Sequence, residues 1–193
     1  MAKAYFFSAF LASATGKRKL DVINDSIVSA PGSSTSNLEA WEVLKAFSAE
    51  TTHVLSPEML SVDMVAPRRA RFKVYFRSQA TDFDTVTKIM SLNGRLSGNN
   101  IHVGKERLRV FWQQLLNHSK DTPLPDIRHR TAGILYYADF RLSDRLPSVK
   151  NYIPVRHYCA SDKSVMIALS VFMDTEGHRD RVDKYNSVLI ETL

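Results

Sequence analysis

Polar and apolar residues alternate strictly in one short stretch of the chain, RFKVYFR at 71–77. Successive side chains of a strand point to opposite faces, so this period of two predicts a half-buried strand. Residues 58–66 alternate more loosely and stop at Pro67, and with the Pro/Arg turn between them the two segments read as a hairpin. The aromatic-rich segment from Lys3 to Phe7 reads as another strand, and 132–142 with 149–158 as a second hairpin across SDRLP. Elsewhere the period is helical. Leu38, Trp41, Leu44, Ala46 and Phe47 fall roughly on one face of a helix over 38–49, fed by the loop PGSSTSN. Helices are also predicted over 80–92, with Asp82 as N-cap and Asn93–Gly94 as the stop, and over 105–116, 163–173 and 181–192. Hairpins alternating with helix pairs predict an α+β fold, not the single-strand, single-helix rhythm of a doubly wound sheet.

A three-residue word recurs in these strands. Lys-x-Tyr occurs at Lys3–Tyr5, Lys73–Tyr75 and Lys150–Tyr152, at lysine spacings of 70 and 77 residues, each time in a predicted strand that leads into a helical stretch. Residues two apart on a strand share a face, about 7 Å apart. Arg71, Lys73 and Tyr75 therefore share one face, and Phe72, Val74 and Phe76 the other. Lys150 and Tyr152 repeat the arrangement, continued by Arg156 and Tyr158, and Lys3 and Tyr5 repeat it again, backed by Phe6.

Two placements of the cationic face compete. It is either the solvent side of an antiparallel sheet, where polar residues are ordinary, or the inside of a sheet curled into a barrel. Clustered Lys and Arg inside a barrel repel one another and lose hydration, which is tolerable around an anion such as a diphosphate. Tyrosine faces beside that anion stabilise a cation by roughly 0.5–2 kcal/mol each. Held diphosphate next to a shielded carbocation is what ionisation of an allylic diphosphate requires.

Composition narrows the alternatives. With 193 residues the chain suffices for one ordinary domain or part of a larger one. Its 44% hydrophobic and 24% charged content is that of a globular protein, and its single cysteine excludes a disulfide framework and a cysteine-rich zinc site. The net charge of +6 suits polyanionic partners, but Lys17, Arg18 and Lys19, and Arg68 and Arg69 with Arg71, form no long basic stripe, so no nucleic-acid partner is expected. Lys17 to Lys19 read as solvated surface. No run approaches the ~20 apolar residues of a membrane helix. In MAKAYFFSAFLASATGKRK the basic cluster follows the apolar stretch, against a secretory signal, and a reducing, cytoplasmic setting is expected.

The blocks KAYFFSAFLASATGK, RFKVYFRS with FDTVTKIMSLNGR, RTAGILYYADFRL and SVKNYIPVRHYCASD resemble, in order and over nearly the whole chain, the fungal dimethylallyltryptophan-synthase-type aromatic prenyltransferases. The resemblance implies an antiparallel prenyltransferase barrel of repeated helix–hairpin–helix units, with helices on the outer face and both substrates in the lumen. It implies a prenyl diphosphate gripped by Lys3, Arg71, Lys73 and Lys150, with Tyr5, Tyr75 and Tyr152 shielding the cation. Some members carry Gln at the position of Lys150. The implied reaction transfers a dimethylallyl group from dimethylallyl diphosphate to an indole- or tryptophan-type acceptor in alkaloid secondary metabolism, with no cofactor and no metal. The alternative is a catalytically inactive homologue acting as a binding or assembly module.

Lys3 stands almost at the start of the chain, whereas in such relatives a long segment with further strands, an arginine and the presumed glutamate base precedes this strand, and a final hairpin follows the last helix. Residues 1–193 are therefore expected to be a single incomplete prenyltransferase domain of about five strands, a partial barrel truncated at both ends, with its catalytic glutamate outside the chain. Glu58 and Asp63 are the carboxylates nearest the first hairpin and are not assigned as base. Oligomeric state is not legible.

The remaining candidates read as structure. No paired DDxxD box is present, and Asp82-x-Asp84 reads as a helix N-terminus. His129, His157 and His178 are too far apart in sequence to suggest a metal site, Cys159 reads as packing, Trp41 and Trp112 as core, and Gly94 and Gly98 form no phosphate loop.

Overall fold

The computed structural model describes residues 2–51, 54–117 and 122–192. The chain falls into two compact units. The first comprises Met1–Ala80, Lys88–Leu96 and Gly133–Ile153, and the second Thr81–Thr87, Ser97–Ala132 and Pro154–Leu193.

The first unit holds a five-stranded sheet in the order β1 (Lys3–Phe7), β2 (Leu55–Asp63), β3 (Arg71–Ser78), β4 (Ile134–Arg141) and β5 (Ser148–Tyr152), every neighbouring pair antiparallel. Helices α1 (Ser8–Thr15), α2 (Lys19–Val28) and α3 (Glu39–Glu50) lie between β1 and β2 along the chain. One sheet face is apolar and buried: Leu60 on β2, Phe72, Val74 and Phe76 on β3, and Tyr136, Ala138 and Phe140 on β4. Against it lie Val22, Ile23 and Ile27 of α2 and Trp41, Leu44 and Phe47 of α3. Trp41 stacks on Phe140 at 6.2 Å and Phe140 on Phe72 at 5.6 Å. Burial of each such side chain contributes about 1.5–3 kcal/mol. Gly133 opens β4 at φ +77, and a Cβ there would meet the Ser78 carbonyl oxygen at 2.2 Å, so only glycine lets β4 come in beside the end of β3.

α4 (Phe83–Met90) is capped as the sequence predicts: the Thr85 N–H donates to Asp82 Oδ1 at 2.8 Å. It ends in consecutive left-handed residues, Leu92, Asn93 and Gly94. In the second unit α5 (Asn99–Leu116) packs on α7 (Asp162–Thr175) through Phe111 and Phe172, 4.9 Å apart, and through the ion pair of Arg107 with Glu176. The Ser170 hydroxyl joins α7 to Asn186 of α8 (Arg179–Thr192) at 3.1 Å.

The α+β class and the five strands agree with expectation, but several details differ. The sheet is open, with β1 and β5 as edges. Helix α1 is the helical stretch expected after Lys3–Tyr5, whereas α2 follows where Lys17 to Lys19 showed only solvated surface, with Lys17 paired to Asp25 and Arg18 to Asp21 on the exposed side. β5 stops at Tyr152 instead of running to 158, because Pro154 cannot donate to a ladder; Val155–Tyr158 turns into the short helix α6, which takes Arg156 and Tyr158 off the sheet. Phe6, expected as a buried backing for β1, is 55% exposed, standing on an edge strand paired on one side only. Among the described residues no helix is long and apolar enough to cross a membrane.

Candidate functional site

The second face of the sheet gathers every residue singled out by the Lys-x-Tyr spacing. Residues directly opposite in an antiparallel pair share a face, so register decides the matter. Tyr5 opposes Ser61, Ser61 opposes Lys73, and Lys73 opposes Asp139, making one row across four strands. The next row runs Met59, Tyr75, Tyr137, Lys150. Lys3 opposes Asp63 and Tyr152 opposes Leu135. Lys3, Arg71, Lys73 and Lys150 thus lie with Tyr5, Tyr75 and Tyr152 on one surface, and Phe72, Val74 and Phe76 lie on the other.

Tyr137 is the hub. Lys73 Nζ lies 5.6 Å and Lys150 Nζ 5.5 Å from its ring centroid, within cation–π range. Its ring centroid is 5.4 Å from that of Tyr75 and 5.7 Å from that of Tyr152. Lysines on β3 and β5 and tyrosines on β3, β4 and β5 therefore form one cluster, although the sequence separates them by many tens of residues.

Two carboxylates sit among the cations. Arg71 Nε donates to Asp63 Oδ2 at 2.8 Å, and Arg71 Nη1 stands 3.9 Å from Asp139 Oδ2. Asp63 is 2% exposed. Ser61 Oγ, Asp63 Oδ1 and Asp139 Oδ1 are buried without a hydrogen-bond partner among the described residues, so this face holds polar capacity that its own side chains leave unused. At the far end of β3, Arg77 Nε donates to Glu58 Oε1 at 2.7 Å, Glu58 being the extra residue where the β2–β3 register slips between Pro57 and Met59.

The electrostatics follow from depth. Burial pushes the Asp63 carboxyl up, but the Arg71 hydrogen bond and the charges of Arg71, Lys73 and Lys3 outweigh it and hold it below the usual carboxylate range. Burial, then the neighbouring charges of Arg71 and Lys3, lower Lys73. Hydrogen bonding to Tyr137 raises Lys150. Burial pushes the Tyr75 phenol up to about 12 and raises Tyr152 as well. The middle of this face thus holds a lysine disfavoured as a cation beside phenols kept neutral, with Asp63 and Asp139 as the neighbouring carboxylates.

The alternation did not single out Tyr137, Asp139, Ser61 or Asp63 for this cluster. For the first two the signal was present: Leu135, Tyr137, Asp139 and Arg141 alternate with the core residues Ile134, Tyr136, Ala138 and Phe140. Only the register shows that they oppose Lys73 and Lys150. The structure also joins two histidines that the sequence keeps apart: the Thr131 hydroxyl lies 2.9 Å from His129 Nδ1 and 2.8 Å from His157 Nε2. The other candidates hold to their structural roles. Trp41 and Trp112 are buried, and Cys159 donates to the Leu115 carbonyl with its thiol pushed up by burial. Among the described residues no group of three or more His, Cys, Asp or Glu is placed to hold a metal.

Comparison with known proteins identifies the family. The profile of the family described as tryptophan dimethylallyltransferase matches residues 1–188. The chain is 31% identical to a 7-dimethylallyltryptophan synthase of Aspergillus fumigatus over 188 residues, covering 95% of this chain and 40% of that one. It is 32% identical to a 4-O-dimethylallyl-L-tyrosine synthase of Claviceps purpurea, over 91% of this chain and 41% of that one. The chain thus spans about two fifths of the length of these curated relatives. Among solved structures its fold is similar to AnaPT from Neosartorya fischeri (TM-score 0.79, 20% identity, 96% of this chain and 42% of that one). It is equally similar to NotF in complex with brevianamide F and DMSPP (TM-score 0.79, 22% identity, 97% and 45%). With a family profile running from end to end and relatives above 30% identity over nearly all of its length, the chain belongs to the tryptophan dimethylallyltransferase family.

Proposed function

We propose that this chain supplies the diphosphate-gripping part of an aromatic prenyltransferase, one that transfers a dimethylallyl group from dimethylallyl diphosphate to an indole- or tryptophan-type acceptor. The observation that carries the reading is the convergence of Lys73 and Lys150 on the Tyr137 ring, beside Arg71 and Tyr75. Lys3, Arg71, Lys73 and Lys150 neutralise the diphosphate as the carbon–oxygen bond breaks. The electron pair of that bond leaves with the diphosphate. Tyr5, Tyr75 and Tyr152, with Tyr137 among them, turn ring faces to the allyl cation and keep water from it. The electron-rich ring of the acceptor then forms the new carbon–carbon bond and loses a proton to a base. None of the carboxylates on this face is assigned that role, since Asp63 is committed to Arg71.

Four cationic side chains provide the leaving-group stabilisation for which a metal would otherwise be needed, and the reading is metal-independent. We place residues 1–193 in a single incomplete prenyltransferase domain, whose open sheet forms part of a barrel around this face. A single cysteine fits a reducing, cytoplasmic location. The exposure of Tyr5 (49%) and Tyr152 (50%) favours a second reading, in which the chain by itself binds diphosphate without protecting a cation. Incubation with dimethylallyl diphosphate and tryptophan, with and without magnesium, separates them. Prenylated product in both conditions supports the transferase, diphosphate binding without product supports the binding module, and dependence on magnesium contradicts the metal-independent route.

A further inference from the structure

Charge is distributed unevenly along the strands. The end of the sheet formed by the start of β1, the β2–β3 turn and the β4–β5 turn carries Lys3, Arg68, Arg69, Arg71, Arg141 and Arg145. Asp63, Asp139 and Asp144, with Glu39 paired to Arg145, are the carboxylates near it. The opposite strand ends carry Arg77 and Glu58, which are bonded to each other. Between the two ends lie Tyr75 and Tyr137 with Met59, while Leu135 and Tyr152 share the row of Arg77. The sheet is thus cationic at one end and, past the tyrosines, compensated at the other.

Part of that positive charge stands outside the gripping face. Arg68 and Arg69 are exposed, and among the described residues neither is in an ion pair, nor is Arg141. Arg68 and Arg69 line a groove with Asn37, Leu142 and Ser143, off the face that carries Lys73, whereas Arg141 opposes Arg71 and belongs to the gripping face. Unpaired guanidinium groups beyond the reach of a ligand act on it through the field. A patch of one sign raises the local concentration of a counter-charged ligand and its rate of capture, and salt removes the effect. The screening length is about 30 Å at 0.01 M salt and about 10 Å at 0.1 M.

We propose that Arg68 and Arg69 form a cationic rim that captures the prenyl diphosphate and delivers it diphosphate-first from the β2–β3 turn end. The diphosphate passes from the rim to Arg71, Lys3 and Lys73, and the prenyl chain trails onto the tyrosines. The rim adds no bond to the bound ligand. This inference rests on the diphosphate-binding reading of the sheet face.

Calorimetric titration of the full chain with inorganic pyrophosphate tests it at about 20 mM and about 300 mM salt. Two doubly substituted proteins with equal charge change are compared. Arg68→Glu with Arg69→Glu alters the rim. Lys17→Glu with Arg18→Glu alters cations that are already paired with Asp25 and Asp21, Arg18 lying by the other end of β2. The rim variant is expected to bind about 5- to 20-fold more weakly than the wild type at low salt and within about twofold at high salt, the control staying within about twofold at both. If the rim variant fails to fold, Arg68→Gln with Arg69→Gln carries the test with half the charge change and a correspondingly smaller effect. Wild-type-like affinity of the rim variant at low salt overturns the inference. So does a loss of equal size at both salts, which means direct contact. Wild-type protein that binds no pyrophosphate overturns the diphosphate reading and the rim with it, whereas sound binding with an indifferent rim overturns the rim alone.

Discussion

The central strand β3 and the edge strands β1 and β5 carry the same Lys-x-Tyr word in different surroundings. Lys73 and Tyr75 are 8% and 9% exposed, flanked on both sides by Ser61, Met59, Asp139 and Tyr137. Lys3, Tyr5, Lys150 and Tyr152 are exposed, with a strand on one side only. The consequence is chemical. Burial lowers Lys73 and pushes Tyr75 up to about 12, so the middle of the sheet presents a strained cation and a neutral phenol where the edges present solvated ones. A ligand anion gains most where the cation is least hydrated, because a charge interaction in a low dielectric exceeds the same interaction in water several-fold. The central strand should therefore provide the grip and the edge strands the outline.

The widest separation between the two regions is expected in affinity. Lys73→Met should weaken pyrophosphate binding about 30- to 100-fold, in line with loss of a desolvated charge contact, and Lys3→Met about threefold or less, in line with a screened one. Calorimetric titration measures both, and equal losses would erase the distinction. Stability comes next. Asp63→Asn removes the hydrogen-bonded charge partner of Arg71, leaving it only the more distant Asp139, and should lower urea-unfolding stability by about 1–3 kcal/mol. The folded carboxyl of Asp63 is held below its unfolded value of about 3.9, so its contribution is present above that pH and is lost as pH falls through the folded value. The Asn variant should accordingly lose less stability than the wild type between about pH 4 and pH 2, as read by urea midpoints across that range.

The smallest effect is spectroscopic. In ultraviolet titration the last phenol of the cluster to ionise should be Tyr75, near 12; Tyr75→Phe should remove that component, whereas Tyr5→Phe should keep it at a lower midpoint, because the Tyr5 phenol helps to raise it. A raised phenol stabilises the fold below about pH 10, and that stabilisation declines as pH rises towards 12, so the wild type should lose alkaline stability faster than Tyr75→Phe.

How much of this was legible in sequence divides along the same line. RFKVYFR announced both faces of β3, because strict alternation in a strand buried on both sides still separates Phe72, Val74 and Phe76 from Arg71, Lys73 and Tyr75. The Lys-x-Tyr spacing likewise brought out β1 and β5. What it could not supply was register. Tyr137 is one of two adjacent tyrosines, Tyr136 and Tyr137, and only pairing with Tyr75 and Lys150 sends the second to the cationic face and the first to the core. Asp63 read as an end-of-strand carboxylate until Arg71, eight residues on, folded back onto it. β5 was overextended because Ile153 and Val155 continue the apolar alternation across Pro154, where the ladder breaks. Helix α2 went unseen because its apolar residues Val22, Ile23 and Ile27 make too short a stripe to stand out without the sheet they cover.

The most direct test of the central claim is a crystal structure of the chain soaked with a non-hydrolysable analogue of dimethylallyl diphosphate. The account predicts diphosphate density against Lys73 and Arg71, with the prenyl chain over the Tyr75 and Tyr137 rings. Diphosphate held on the Phe140 side of the sheet, or Lys73 and Arg71 left unliganded while the analogue binds elsewhere, would contradict it.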